Sequence, residues 1–265
     1  YESAHVATHR ALRDMGLQFS YVTDRMLRLG EFEASKYKVL ILPRAEAIGQ
    51  QEAQVIRQFA EGGGTVIADV RPGIYDGHCK PRPSGVVDDL FGIQRKSTAA
   101  ALTADVPDSP FDKAKIDGGV AVSTGTAMRE FGAAPALIVN NVGKGRAVLV
   151  NTNMDGFGAA CREPQPAGVR DWAVQALSDA GVQPQVVLEG ATGQPLTGVS
   201  AVRWQDGDTQ LLSLFREAGA REEAVVKLPQ AMHVYNLRSG QALGKVSSFR
   251  TEIIPCRATF LALCP

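Results

Sequence analysis

Chemistry-bearing residues gather most densely in the run from Asp69 to Cys79, Asp-Val-Arg-Pro-Gly-Ile-Tyr-Asp-Gly-His-Cys. Carboxylates, a guanidinium, an imidazole and a thiol are the groups that acyl, amide or glycoside hydrolysis would draw on. A nucleophile elbow needs Ser or Cys at a sharp strand-to-helix turn. Here the strand Thr65 to Val70 runs instead into Arg71, Pro72 and Gly73. His78 and Cys79 are chain neighbours whose side chains point apart in an extended segment, and a reactive thiol also needs an orienting partner. Asp69, Arg71, Asp76, His78 and Cys79 are therefore pocket candidates, and no residue is assigned a catalytic role. Asp69 leads them, because sites in open α/β sheets collect at the carboxyl ends of strands.

The remaining motifs favour structural readings. Gly62-Gly63-Gly64 follows a helical segment and precedes a strand, the reverse of a dinucleotide or phosphate loop, so it reads as a helix stop. His5 and His9 stand at i, i+4, a spacing zinc sites use, but the Glu of H-E-x-x-H is missing, and a solvated or capping pair is the expectation. Asp88 and Asp89 read as charges at a helix N-terminus. Cys79, Cys161, Cys256 and Cys264 form no C-x-x-C or ligand cluster. The stretch Cys256 to Cys264, read as one strand, holds its ends beyond disulfide reach. No metal or cofactor is expected.

The elements that would position these residues follow from periodicity. Val6, Ala7, Ala11, Leu12 and Met15 are spaced as a helix, stopped by Gly16. Leu17 to Val22 reads as a strand and Met26 to Leu29 as a brief helix. Lys38 to Leu42 and Thr65 to Val70 are apolar runs of the kind buried in parallel sheets, with a helix over Gln50 to Ala60 between them. Arg71 to Gly85, rich in Pro and Gly, is a long loop before a short helix at Val86 to Phe91. Ala136 to Val139 and Arg146 to Asn151 form a hairpin turned by Gly143-Lys144-Gly145, and Val169 to Ala180 is helical. This predicts an α/β, flavodoxin-like doubly wound sheet over 1–185. After the Gln-, Gly- and Pro-rich segment Gln183 to Thr197, five short alternating segments predict a small antiparallel β-sandwich over 195–265: Val199 to Trp204, Gln210 to Phe215, Ala224 to Lys227, His233 to Asn236 and Thr259 to Leu263.

With 265 residues, 45% of them hydrophobic, and 28 basic against 28 acidic side chains, the chain can build one large domain or two smaller ones. Its zero formal charge removes the bulk attraction on which non-specific nucleic-acid or anionic-membrane binding relies. No apolar run approaches the roughly 18 residues of a membrane span, and no leader pattern precedes the first helix. The cellular compartment stays open.

Several segments in series resemble one family. These are Tyr37 to Pro43 (YKVLILP), Phe59 to Gly64 (FAEGGG), Thr65 to Asp69 (TVIAD), Leu90 to Ile93 (LFGI) and Val142 to Arg146 (VGKGR). Together they resemble the trimerisation domain of family 42 glycoside hydrolases, the β-galactosidase group, over roughly Tyr1 to Gly181. The resemblance implies a class I glutamine amidotransferase-like fold without its catalytic cysteine, which agrees with Val70 and Arg71 at the elbow. The last part, with His233 to Leu237 (HVYNL) and Ala258 to Leu263 (ATFLAL), is similar to the small β domain that closes such enzymes. Tyr1-Glu2-Ser3 resembles the residues just after the first sheet strand, so the family's first strand is expected to lie before this chain.

The family's active site sits in a (β/α)8 barrel of about 250 residues, for which there is no room beside these elements. Its catalytic glutamates map onto no position here. The resemblance thus implies a non-catalytic accessory region, a homo-oligomer such as a trimer, and an upstream barrel in the same gene product. Two rivals stay open at this level. One is a hydrolase or amidotransferase-like enzyme using the Asp69 to Cys79 region. The other is a sugar-binding module presenting Trp204, Tyr235 or Phe249, with a buried core role preferred for Trp204.

Overall fold

Short runs of Val, Ile and Leu closed by turn formers set the first sheet. In the computed structural model, which describes residues 2–99, 102–103, 115–153 and 169–265, β1 (Val39–Leu42) pairs in parallel with β2 (Thr65–Ala68). The helix between them, α3 (Gln50–Glu61), buries Ala53, Ile56, Phe59 and Ala60 on one stripe, the spacing of an amphipathic helix. That stripe shares one core with Leu40, Leu42, Val66 and Ala68. On the other side of β2 lies β7 (Gly145–Val150), also parallel. β6 (Ala134–Val142) and β5 (Thr126–Phe131) extend the sheet antiparallel, giving the order β1-β2-β7-β6-β5. A separate antiparallel pair joins β3 (Ile93–Arg95) to β4 (Val120–Val122).

The molecule divides into two compact units. Of the described residues, one comprises 2–8, 21–99, 102–103, 115–153 and 169–182, the other 9–20 and 183–265. Helix α1 (Glu2–Asp14) buries Ala4, Ala7, Ala11 and Leu12, whereas Val6, expected on that face, is 39% exposed. The first unit holds α2 (Asp24–Arg28), capped by the Thr23 hydroxyl, a single 3-10 turn at Ala34–Lys36, and α4 (Val169–Asp179), which Gly181 terminates with φ 71°.

In the second unit β8 (Val187–Gly190), β9 (Val199–Asp206), β10 (Thr209–Arg216), β11 (Glu222–Asn236), β12 (Gln241–Ile253) and β13 (Thr259–Cys264) build one antiparallel sheet, ordered β12-β11-β13-β10-β9. β11 pairs with β8 over its first half and with β13 over its last. Its ladder with β12 shifts register between Lys227 and Met232, and such irregularities bend a strand. The described strands therefore make one curled sheet around Leu212, Leu214, Val226, Val234, Leu261 and Leu263, where two facing sheets of a sandwich were expected.

Other expectations shift as well. Leu17 to Val22 is irregular chain, and the Gln18 side chain, not a strand ladder, bonds the Arg203 backbone of β9, donating to its carbonyl at 2.8 Å. Val86 to Phe91 forms consecutive turns and no helix. The two segments expected at Ala224 to Lys227 and His233 to Asn236 are one strand, β11. Among the described residues no helix is long and apolar enough to cross a membrane.

The β6–β7 turn lies close against the end of α3. A Cβ on Gly145 would come 2.1 Å from the Gly64 carbonyl oxygen and 2.4 Å from that of Ala60, and both are backbone atoms that cannot swing aside. Gly145→Ala is expected to lower stability by roughly 1–3 kcal/mol, read as a lower urea midpoint at unchanged slope.

Candidate functional site

The parallel strands end where their loops must be tied together. Just past β1, Arg44 adopts φ 47° and its backbone N–H donates to Asp69 Oδ1 at 2.6 Å, linking the ends of β1 and β2. Two residues beyond Asp69, Arg71 sits in the left-handed region at φ 64°, the conformation that a sharp turn after a strand demands. Its Nε lies 3.1 Å from Asp117 Oδ2. Asp117 is held beyond the end of β7, where the Asn151 amide donates to the Asp117 carbonyl at 3.0 Å and to that of Pro135 at 2.9 Å.

Arg95, on β3, completes the arrangement. Its Nη1 lies 2.6 Å from Asp117 Oδ2 and its Nε 2.8 Å from Asp88 Oδ1, with side-chain exposures of 0% for Arg95, 1% for Asp117 and 7% for Asp88. Asp88 Oδ2 also accepts from the Gly85 N–H at 2.7 Å. The two acids and two arginines cancel in charge, as buried ions must. Burial pushes the Asp88 carboxyl above its ordinary value, with the nearby Asp117 adding in the same direction, and Arg95 and the Gly85 N–H pull it back less strongly.

The five candidates thus part company. Asp69 and Arg71 are tied into this edge. Asp76, His78 and Cys79 occupy a loop tip, in which the Asp76 carboxylate accepts from the His78 and Lys80 N–H groups at 2.8 and 2.9 Å. Those two bonds hold the Asp76 carboxyl below its ordinary value. Cys79 is exposed, with φ 60°. An open groove of about 480 Å³ lies elsewhere, lined by Arg57, Glu61, Asp89, Thr124 and Asn140 among others, and includes none of the five.

Asp88 and Asp89, expected at a helix N-terminus, serve instead as ion-pair partners of Arg95 and of Arg57, whose Nη2 is 2.6 Å from Asp89 Oδ1. The sequence reading missed Arg95 and Asp117 altogether. Arg95, two residues beyond the buried Ile93 on the same strand face, and Asp117, next to the buried Ile116, were the available signals, but they lie 22 positions apart. His9 packs edge-on against Phe19, ring centroids 5.1 Å apart, and its basicity is lowered by burial and by Arg13 and Arg10. His5 is lowered chiefly by burial. No group of three metal-binding side chains occurs among the described residues. Cys161 lies outside them. Cys79, Cys256 and Cys264 are free, and the strand expected from Cys256 begins at Thr259.

Comparison with known proteins adds the context. The model of the β-galactosidase trimerisation domain matches residues 4–182. No curated protein matches the sequence. Among solved structures, the chain is similar to a β-galactosidase from Bacillus circulans sp. alkalophilus, with TM-score 0.67 and 16% identity over 99% of this chain and 37% of that one. It is similar to the β-galactosidase of Rahnella sp. R3, with TM-score 0.62 and 16% identity over 96% of this chain and 36% of that one. A third, from the Antarctic haloarchaeon Halorubrum lacusprofundi, gives TM-score 0.55 and 18% identity over 100% and 36%. At such identities the likeness is one of fold. The chain spans little more than a third of these proteins.

Two outcomes follow from the ion cluster. Arg95→Met leaves Asp88 and Asp117 as poorly compensated buried acids and is expected to cost roughly 3–5 kcal/mol in urea unfolding, part of which returns when both acids are also replaced by Asn. A carboxyl raised on folding stabilises the protein below its ordinary value of 3.8, and that contribution is lost as pH rises through the elevated folded value. Asp88→Asn should therefore remove a downward component from the stability profile above pH 3.8, measured by urea midpoints at successive pH. An unaltered profile would contradict the assignment.

Proposed function

The chain belongs to the β-galactosidase trimerisation domain family, and from that membership we propose that it holds together the copies of a larger family 42 glycoside hydrolase. It is an accessory, non-catalytic region of such an enzyme. The observation that carries this reading is the family match over 4–182, which takes in nearly all of the first unit together with His9–Ser20 of the second. In this reading 1–185 is a flavodoxin-like, class I glutamine amidotransferase-like domain and 195–265 a separate β domain. Three parallel strands with α3 between the first two support the former, and the independent core of the curled sheet supports the latter.

The elbow position supports the non-catalytic role. Arg71 takes up the left-handed turn after β2 and directs its side chain into an ion pair 12% exposed on the arginine side. Asp69 and Arg71 act as ties between loops, and Asp76, His78 and Cys79 belong to a turn at the surface. Hydrolysis then belongs to a (β/α)8 barrel upstream in the same gene product. The greater length of the similar β-galactosidases supports that placement.

The assembly is a homotrimer. Multi-angle light scattering on the 265-residue chain at micromolar concentration is expected to give three times its 28.2 kDa mass. A strictly monomeric mass across that range would count against the assembly role.

A further inference from the structure

The strand path β12-β11-β13-β10-β9 of the second unit ends at β12 on one side and at β9 on the other, and β8 lies beside only the first half of β11. Each outer edge presents backbone N–H and C=O groups on which another chain can pair. β8 is covered by the turn that follows it, where the Leu196 N–H donates to the Leu188 carbonyl and the Gly190 N–H to that of Gln194, both at 2.9 Å. β12 is blunted by a slip in its ladder between Val234 and Tyr235, where Gly244 takes φ 84°, and by the exposed charges of Lys245 and Arg250. Bulges and edge charges both discourage pairing. The ladder of β9 has no slip. Its eight residues pair with β10 in unbroken register, from Val199 opposite Arg216 to Asp206 opposite Thr209.

One side chain meets that edge. The Gln18 carboxamide donates from Nε2 to the Arg203 carbonyl at 2.8 Å and accepts at Oε1 from the Arg203 N–H at 3.3 Å. A carboxamide carries the donor and acceptor of a peptide unit, and exchanging both bonds with one residue is what an opposed residue of an antiparallel strand does. Arg203 therefore turns its backbone outward, and strand alternation turns Val199, Ala201 and Gln205 the same way. Gln18 is held for this task by its own neighbours. The Leu17 N–H donates back to the Leu12 carbonyl at 2.9 Å, and Gly16 takes φ 71° so close to β8's approach that a Cβ there would lie 2.8 Å from the Val186 carbonyl oxygen. Phe19 on the other side packs edge-on against His9. A side chain anchored on both sides loses little freedom on bonding. We infer that the Gln18 carboxamide stands in for a neighbouring strand and closes the β9 edge, which is otherwise a pairing surface for an extended strand of a second copy of this chain.

The test uses the 265-residue chain and Gln18→Met, which keeps the length of the side chain and removes both bonds. Amide hydrogen exchange at Arg203 is expected to quicken roughly tenfold in the variant. Sedimentation velocity at rising micromolar concentration is expected to show species larger than any the parent forms. Adding Gln205→Pro, which removes an outward N–H that an edge strand can spare, should abolish those species. If circular dichroism shows that Gln18→Met does not fold, Gln18→Glu, which still accepts from the N–H but cannot donate to the carbonyl, is read by the same two measurements. Unchanged exchange at Arg203 overturns the inference, as does faster exchange with no larger species. Larger species that survive Gln205→Pro overturn it too, because another surface then joins the copies. The inference stands apart from the assembly role, since every comparison is with the parent's own mass, whether that is a monomer or a trimer.

Discussion

Two guanidinium groups and two carboxylates withdrawn from water must be complete as a set, because losing any one leaves an ion without its counter-charge in a medium of low dielectric. Arg71, Asp88, Arg95 and Asp117 form such a set, and they come from four separate places in the chain. The turn after β2, the turns before β3, β3 itself and the approach to β4 are thereby held in one arrangement. The polar ties around them, Arg44 to Asp69 and Asn151 to the Asp117 and Pro135 carbonyls, extend that arrangement across the ends of β1, β2 and β7. This is the edge at which open α/β sheets ordinarily receive ligands. Here it is filled by the protein's own charges.

That filling gives physical content to a trimerisation domain in the setting of a glycoside hydrolase. Arg71 ties the turn after β2 to Asp117 in the left-handed conformation that the turn imposes. Similarity to solved β-galactosidases at 16% identity, with TM-score 0.67 over 99% of the chain, means that few side chains need coincide for the chain path to persist. What persists is the pairing of strands and the burial of alternate or helical-spaced apolar residues, which many sequences satisfy.

The second unit follows a simpler rule with a sharper outcome. A strand with a period of two has one face per parity, so the core parity of β10, β11 and β13 determines which residues are turned to solvent. Trp204 and Tyr235 fall on the solvent parity and Phe249 is drawn inward. A core place for Trp204 was the sequence expectation, since large rings are highly buried on average. Composition cannot tell one parity from the other.

The amino-acid sequence by itself determined the elements whose signal is local. β1, α3, β2, the β6–β7 hairpin, α4, β9 and β10 each carry a helical or strand period, or a glycine turn, within a dozen residues. It did not determine β3, β4 or β8, whose ladders join Ile93 to Val122 and Leu188 to Val226, nor β5 and β12, whose polar residues mask the strand period although each pairs with its neighbour in the chain. Nor did it determine that Leu17 to Val22 joins no strand ladder, or that Asp88 meets Arg95 and not a helix terminus. Those outcomes depend on which residues distant in sequence are brought within a few ångströms. Local periodicity fixes which way a side chain faces relative to its own neighbours; only tertiary structure decides what stands there to meet it.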